Sequence, residues 1–146
     1  MGRARARLFA QEGAFVAVID RDAEAAQAVV AEIIVAGGRA LAVSVDLRDT
    51  ARAKSTVAQA VAGLGRLDFV WNHLGHPGPG RVEGMAQADF DQAVDLSLRS
   101  VIETTEAANP ELRKSGSAAI LYTASTGGLV RSRFWSGRAI AWFIPQ

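Results

Sequence analysis

Two aspartates stand where apolar runs stop, and that placement is the first sign of chemistry. Ala14-Phe15-Val16-Ala17-Val18-Ile19 is rich in β-branched residues and ends on Asp20; Ala40-Leu41-Ala42-Val43-Ser44-Val45 ends on Asp46. Runs of this kind read as strands buried on both faces of a parallel sheet. A carboxylate at the carboxyl end of such a strand lies where open α/β sheets bind ligands. Between Gly2 and Asp20 lie one helical pattern and one strand. A glycine turn, a helix, a strand and then an acid about 20 residues on is the layout of a dinucleotide site, in which the acid accepts the ribose hydroxyls. The competing role for Asp20 is a cap on the helix that follows. Ser125 is a third candidate, in the turn Ala124-Ser125-Thr126-Gly127-Gly128 after another apolar run. Taken alone, a serine in such a turn bonds local backbone. His73 and His76 are i, i+3 neighbours with no third ligand at metal spacing, so no metal site is expected.

The elements that must position these residues alternate. Gly2 to Gln11 reads as a helix with Ala4, Leu8 and Phe9 inward and Arg3, Arg5 and Arg7 largely outward. Asp22 is a good N-cap for a second helix running to Ala36, and Ala26, Val29, Val30, Ile33 and Ile34 give it one apolar face. Asp49 or Thr50 caps a third, whose inner stripe is Ala53, Val57, Ala60, Val61 and Leu64 and which ends at Gly63 and Gly65. Leu67 to Trp71 is a strand, followed by Asn72-His73-Leu74-Gly75 and a Gly/Pro-rich loop to Gly84. Gln87 to about Leu112 reads as one long helix, with Ser97 on the same stripe as Phe90, Val94 and Val101, and Ser117 to Thr123 is a further strand. Strands alternating with helices across short glycine turns predict an α/β fold with a doubly wound parallel sheet.

Composition narrows the classes. With 146 residues and 49% apolar content the chain is one domain with enough material for a core. A net charge of +1 gives no reason to expect nucleic acid or an acidic membrane as partner. Cysteine is absent, which excludes a disulfide framework and a thiolate nucleophile or ligand. The first residues lack the apolar core of a signal peptide, and no run reaches the ~20 apolar residues of a membrane span. The expectation is a cytoplasmic protein.

Taken in order, these residues resemble the classical short-chain dehydrogenase/reductase family over roughly Gly2 to Val130. Met1-Gly2-Arg3-Ala4 is similar to the end of its Thr-Gly-x-x-x-Gly-x-Gly turn, with Gly2 as the last glycine. The resemblance makes Asp20 the acid that selects NAD over NADP, with Arg21 beside it, and Asp46-Leu47 the pair beside the adenine. Asn72-His73-Leu74-Gly75 keeps the first Asn and the Gly of the family's Asn-Asn-Ala-Gly. Ser97 stands at the helix position of an active-site Asn, and Ser125 matches the catalytic serine. The implied activity is hydride transfer between a secondary alcohol or carbonyl and nicotinamide. The implied partners are a small-molecule alcohol or ketone and further copies of the chain, since the family is usually homo-oligomeric.

The pattern also departs from the family. There a tyrosine acting as general acid follows the serine at a fixed distance, with a lysine one helical turn further on to lower its pKa. Counted from Ser125, those positions hold Arg138 and Trp142, and the one tyrosine, Tyr122, precedes Ser125. The family's central first strand and the first two glycines of its turn are not seen before Met1. From Arg131 the apolar residues cluster with no regular spacing. The expectation is a partial NAD-binding Rossmann domain over 1–130, lacking the first strand and the C-terminal half, followed by an aberrant tail over 131–146. It would be inactive as it stands. The alternative is a non-enzymatic relic that binds nucleotide weakly or pairs with an intact relative.

Overall fold

In a computed structural model, residues 1–76 and 83–125 are described. Helix α1 (Gly2–Gln11) turns into strand β1 (Phe15–Asp20), and α2 (Ala23–Val35) leads into β2 (Arg39–Ser44). Helix α3 (Thr50–Leu64) leads into β3 (Phe69–Asn72). Helix α4 (Gln87–Val94), a π-helical turn (Asp95–Arg99) and α5 (Ser100–Ser115) then lead into β4 (Ala119–Tyr122). The expected caps form. Asp22 accepts the Ala25 N–H at 3.0 Å, Asp49 accepts the Arg52 N–H at 3.1 Å, and Gly65 closes α3 in the left-handed conformation at φ 83°.

The strands pair in parallel as two separate two-stranded sheets, β1 with β2 and β3 with β4. Alternate residues of a strand point to opposite faces, and β3 shows this directly. Phe69 and Trp71 meet the Phe9 ring of α1 at centroid distances of 5.4 and 6.3 Å. Val70, on the other face, packs into the core formed by Val57 of α3, Leu67, and Ala108 and Leu112 of α5. Helices therefore cover both faces, as a doubly wound fold requires. Helix α1 packs on β1 and α2, while α3 packs on β1, β2 and α5.

Three expectations change. β1 is half-buried instead of fully buried, with Ile19 39% exposed, because its second edge and part of its surface lack a neighbour among the described residues. The long helix forms without interruption from Gln87 to Ser115, but one π turn at Asp95–Arg99 inserts an extra residue. In α1 the inward side is Gly2, Ala6, Phe9 and Ala10, whereas Ala4 and Leu8 are exposed. Small residues win there because α1 lies close to its neighbours: a Cβ built on Gly38 would come within 3.1 Å of the Ala10 Cβ and 2.9 Å of Ile33 Cγ2. The loop residues 77–82, the turn from Thr126, and the tail with Arg138 and Trp142 lie outside the described residues.

Candidate functional site

The candidate residues gather at the carboxyl ends of the strands. Asp20 ends β1, and the adjacent Ser44 ends β2, two residues before Asp46. Asn72 ends β3 and is paired with Tyr122 of β4, three residues before Ser125. A Cβ on Gly2, at the start of α1, would lie 3.8 Å from His73 Cδ2, so the first turn of α1 sits against the end of β3.

Asp20 does not cap α2; that role belongs to Asp22. Asp20 Oδ1 accepts the Asp22 backbone N–H at 3.1 Å, which fixes the carboxylate at the strand end. Among the described residues its other oxygen has no partner, and Asp20 is exposed. Asp46 is engaged far more. Its Oδ1 accepts the Arg48 backbone N–H at 3.0 Å, and its two oxygens accept the Arg48 guanidinium through Nε at 3.0 and 2.9 Å and through Nη2. These Arg48 bonds, with Arg21 adding its charge, hold the Asp46 pKa down at about 2. Leu47 beside it is half-buried.

Asn72 pegs β3 to α5: its Oδ1 lies 3.1 Å from Thr104 Oγ1, whose hydroxyl also reaches the Ser100 carbonyl at 2.8 Å. Asn72 Nδ2 is buried and has no partner among the described residues. Ser97, in the π turn, accepts the His76 N–H at 3.1 Å and donates to the His76 carbonyl at 3.3 Å. One hydroxyl thus fastens the loop after β3 to the helix. A Cβ on Gly75 would meet that same Ser97 Oγ at 3.9 Å, ordinary contact, so Gly75 is not sterically required by the described residues. Ser125 is half-buried past the end of β4. Tyr122 is on the α5 side, its hydroxyl 3.0 Å from Thr105 Oγ1 and its surface 48% exposed.

A cluster that sequence reading did not foresee joins the ends of β3 and β4. Trp71 Nε1 donates to Thr123 Oγ1 at 2.8 Å, and His73 Nδ1 lies 2.8 Å from the same oxygen. The indole and imidazole stack at 4.3 Å, and the Arg5 guanidinium sits 5.5 Å from the Trp71 ring centre. Burial above all, with the Arg5 charge adding to it, lowers the His73 pKa. No local signal announces this cluster, because it depends on the register of strands far apart in sequence.

The site can be tested against a dinucleotide. Asp20 offers an open carboxylate oxygen at the carboxyl end of β1, which could accept a sugar hydroxyl. The first turn of α1 has no side-chain cap, leaving its N–H groups open to an anion. The residues present fit the adenosine half and one edge of a pyrophosphate.

Comparison with known proteins agrees with this geometry. The short chain dehydrogenase family matches residues 1–137. The chain is 36% identical over 129 residues to 2,5-dichloro-2,5-cyclohexadiene-1,4-diol dehydrogenase of Sphingobium indicum, covering 88% of this chain and 52% of that protein. A 7α-hydroxysteroid dehydrogenase solved with NADH and 7-oxo glycochenodeoxycholic acid has a TM-score of 0.86 at 31% identity, covering 97% of this chain and 57% of that one. A metagenomic short-chain oxidoreductase solved with NADP has a TM-score of 0.87 at 26% identity, covering 97% and 65%. The chain belongs to the short-chain dehydrogenase family, whose members are oxidoreductases with Rossmann-like folds. It spans about half the length of the curated relatives it matches.

Proposed function

We propose that this chain carries the adenosine-binding part of an NAD-dependent short-chain oxidoreductase acting on a small secondary alcohol or ketone, and that it does not turn over by itself. The observation that carries the reading is Asp20, fixed at the end of β1 by the Asp22 N–H with one oxygen still open. A carboxylate there accepts a ribose diol and repels a 2′-phosphate. Of the cations near it, Arg48 is occupied by Asp46, while Arg21 stands beside Asp20 in the chain. Asp46 and Leu47 would flank the adenine, Gly2 and α1 the pyrophosphate, and Asn72 and Gly75 the strand end behind the nicotinamide ribose. The bound nicotinamide supplies the hydride chemistry. Ser125 would hold the reacting oxygen, and Ser97 would keep the loop after β3 in place.

Inactivity follows from the proton. Tyr122 is the only tyrosine, and its hydroxyl is beside Thr105 on the α5 side. Calorimetric titration should therefore show NAD binding more tightly than NADP, with Asp20→Ala weakening NAD by about tenfold, the value of a lost charge-assisted hydrogen bond. Unchanged affinity in Asp20→Ala would return Asp20 to a purely structural role. Offered NAD and a panel of secondary alcohols, the chain should generate no NADH absorbance. Turnover abolished by Ser125→Ala would overturn the proposed inactivity.

A further inference from the structure

Trp71, Thr123 and His73 form a chain of hydrogen bonds that runs in one direction. The indole Nε1–H can only donate, and it donates to Thr123 Oγ1 at 2.8 Å. The Thr123 hydroxyl has one hydrogen of its own, and among the described residues its acceptor is His73 Nδ1, also 2.8 Å away. Nδ1 therefore accepts, and the neutral imidazole carries its hydrogen on Nε2. These bonds cross from β3 to β4 just past the paired residues Asn72 and Tyr122, where the Thr123 backbone N–H bonds the Asn72 carbonyl at 3.0 Å. Thr123 is two residues before Ser125. The imidazole stacks on the indole at 4.3 Å, and the Arg5 guanidinium lies 5.5 Å from the centre of that same indole.

We propose that these residues are a proton-operated clasp on the carboxyl ends of β3 and β4: neutral His73 closes it, and protonation of His73 opens it and loosens the segment leading into Ser125. One proton from solvent binds Nδ1, which then donates instead of accepting. Two N–H donors now converge on Thr123 Oγ1, and the hydroxyl's own hydrogen loses its acceptor. The imidazolium also shares the indole with Arg5, like charge near like charge in a half-buried place. His73 relieves both by swinging toward water. The charges that face it come from α1 and its start, the Arg5 guanidinium and the Met1 amino group. Among the described residues β4 presents no charged group to it, and the titratable Tyr122 lies on the α5 side. Burial first, then the amino group and Arg5, hold the His73 pKa below its ordinary 6.5, so the clasp is closed at and above that pH and opens below it. The clasp needs no cofactor and no reacting group, so it stands apart from the proposed function.

NMR of the full 146-residue chain tests it, with His76→Gln leaving one imidazole to follow. Above pH 6.5 the ring hydrogen should be found on Nε2. As His73 titrates, the Trp71 indole N–H and the Thr123 amide should lose about tenfold in exchange protection, the effect of one lost hydrogen bond, with the same midpoint as the ring. Amides of the β1–β2 ladder should not follow. Trp71→Phe separates the clasp from general softening by acid. It keeps an aromatic ring against His73 but removes the competing donor, so Thr123 Oγ1 can accept from the imidazolium. The His73 midpoint should then rise toward 6.5, and the Thr123 amide should stay protected through the titration. Neutral His73 with its hydrogen on Nδ1, Thr123 protection that ignores the His73 midpoint, or a midpoint unmoved by Trp71→Phe would each overturn the proposal.

Discussion

Asp46 holds its charge to low pH because Arg48 donates to it from guanidinium and backbone alike. Its pKa of about 2 lies below the ordinary 3.8. A carboxylate whose folded-state pKa is depressed contributes stability above its unfolded value and loses it as pH falls through the folded one. The contribution of this pair should thus be complete above pH 3.8 and disappear on the way down to about 2. It should amount to ~0.2–1 kcal/mol, as for other solvent-accessible ion pairs. An NMR titration of the Asp46 carboxyl checks the cause: in Arg48→Ala the midpoint should climb toward 3.8, and an unmoved midpoint would put the shift elsewhere. Although the strand itself ends two residues earlier at Ser44, the place of Asp46 just past β2 was legible in the sequence, since it needs only an apolar run and its stop. Its capture by Arg48 was not, because side-chain rotation decides which nearby cation is taken. Ser97 is similar. Its helical spacing indicated an inward direction, but its partner, the His76 backbone, is 21 residues away and is met only through the fold.

Among the elements, caps and turns were the most readable, because Asp22, Asp49 and Gly65 act within a few residues of their own position. The faces of α1 and the π turn inside the long helix were not. Hydrophobicity ranks Leu8 above Ala10, yet close packing against α2 selects the smaller side chain; Leu8 is 49% exposed and Ala10 only 7%. The π turn holds Ser97, whose partner is the distant His76 backbone, and nothing in Asp95-Leu96-Ser97-Leu98-Arg99 announces it. Close packing also gives a prediction. Gly38→Ala drives a methyl into Ile33 and Ala10, with the Ile33 carbonyl oxygen 3.2 Å away, and should cost ~1–3 kcal/mol in urea unfolding. Gly63→Ala meets only the Leu41 side chain, whose end can turn aside, and should cost less. Equal costs would show that the α1–α2–β2 contact is looser than described.

For the whole molecule, the parallel α/β class followed from the alternation of periods, and the separation into two strand pairs followed from the family order in which the first strand is central. The sequence did not show that α1 and α3 each bridge the pairs, because that contact is tertiary. Helix packing alone joins the described halves, so heating should give a broad transition with a calorimetric enthalpy above the van't Hoff value, together with aggregation through exposed edges. A sharp two-state melt of a monomer would show that the helices couple the pairs fully.

The two pairs also differ in how much chain must be gathered before they exist. Phe15 meets Arg39, whereas Phe69 meets Ala119, a partner roughly twice as far along the chain. Closing the longer loop costs only about 0.6 kcal/mol more in chain entropy, so the delay is mainly one of supply. On a ribosome the first pair can zip once Ser44 has emerged, and its α2 is then already at hand to cover it. Strand β3 must wait, the backbone edge that β4 will take unpaired, until Tyr122 follows. That interval, at roughly 5–20 residues per second, lasts seconds and is the stretch of this chain's synthesis most exposed to a chaperone or to another nascent copy.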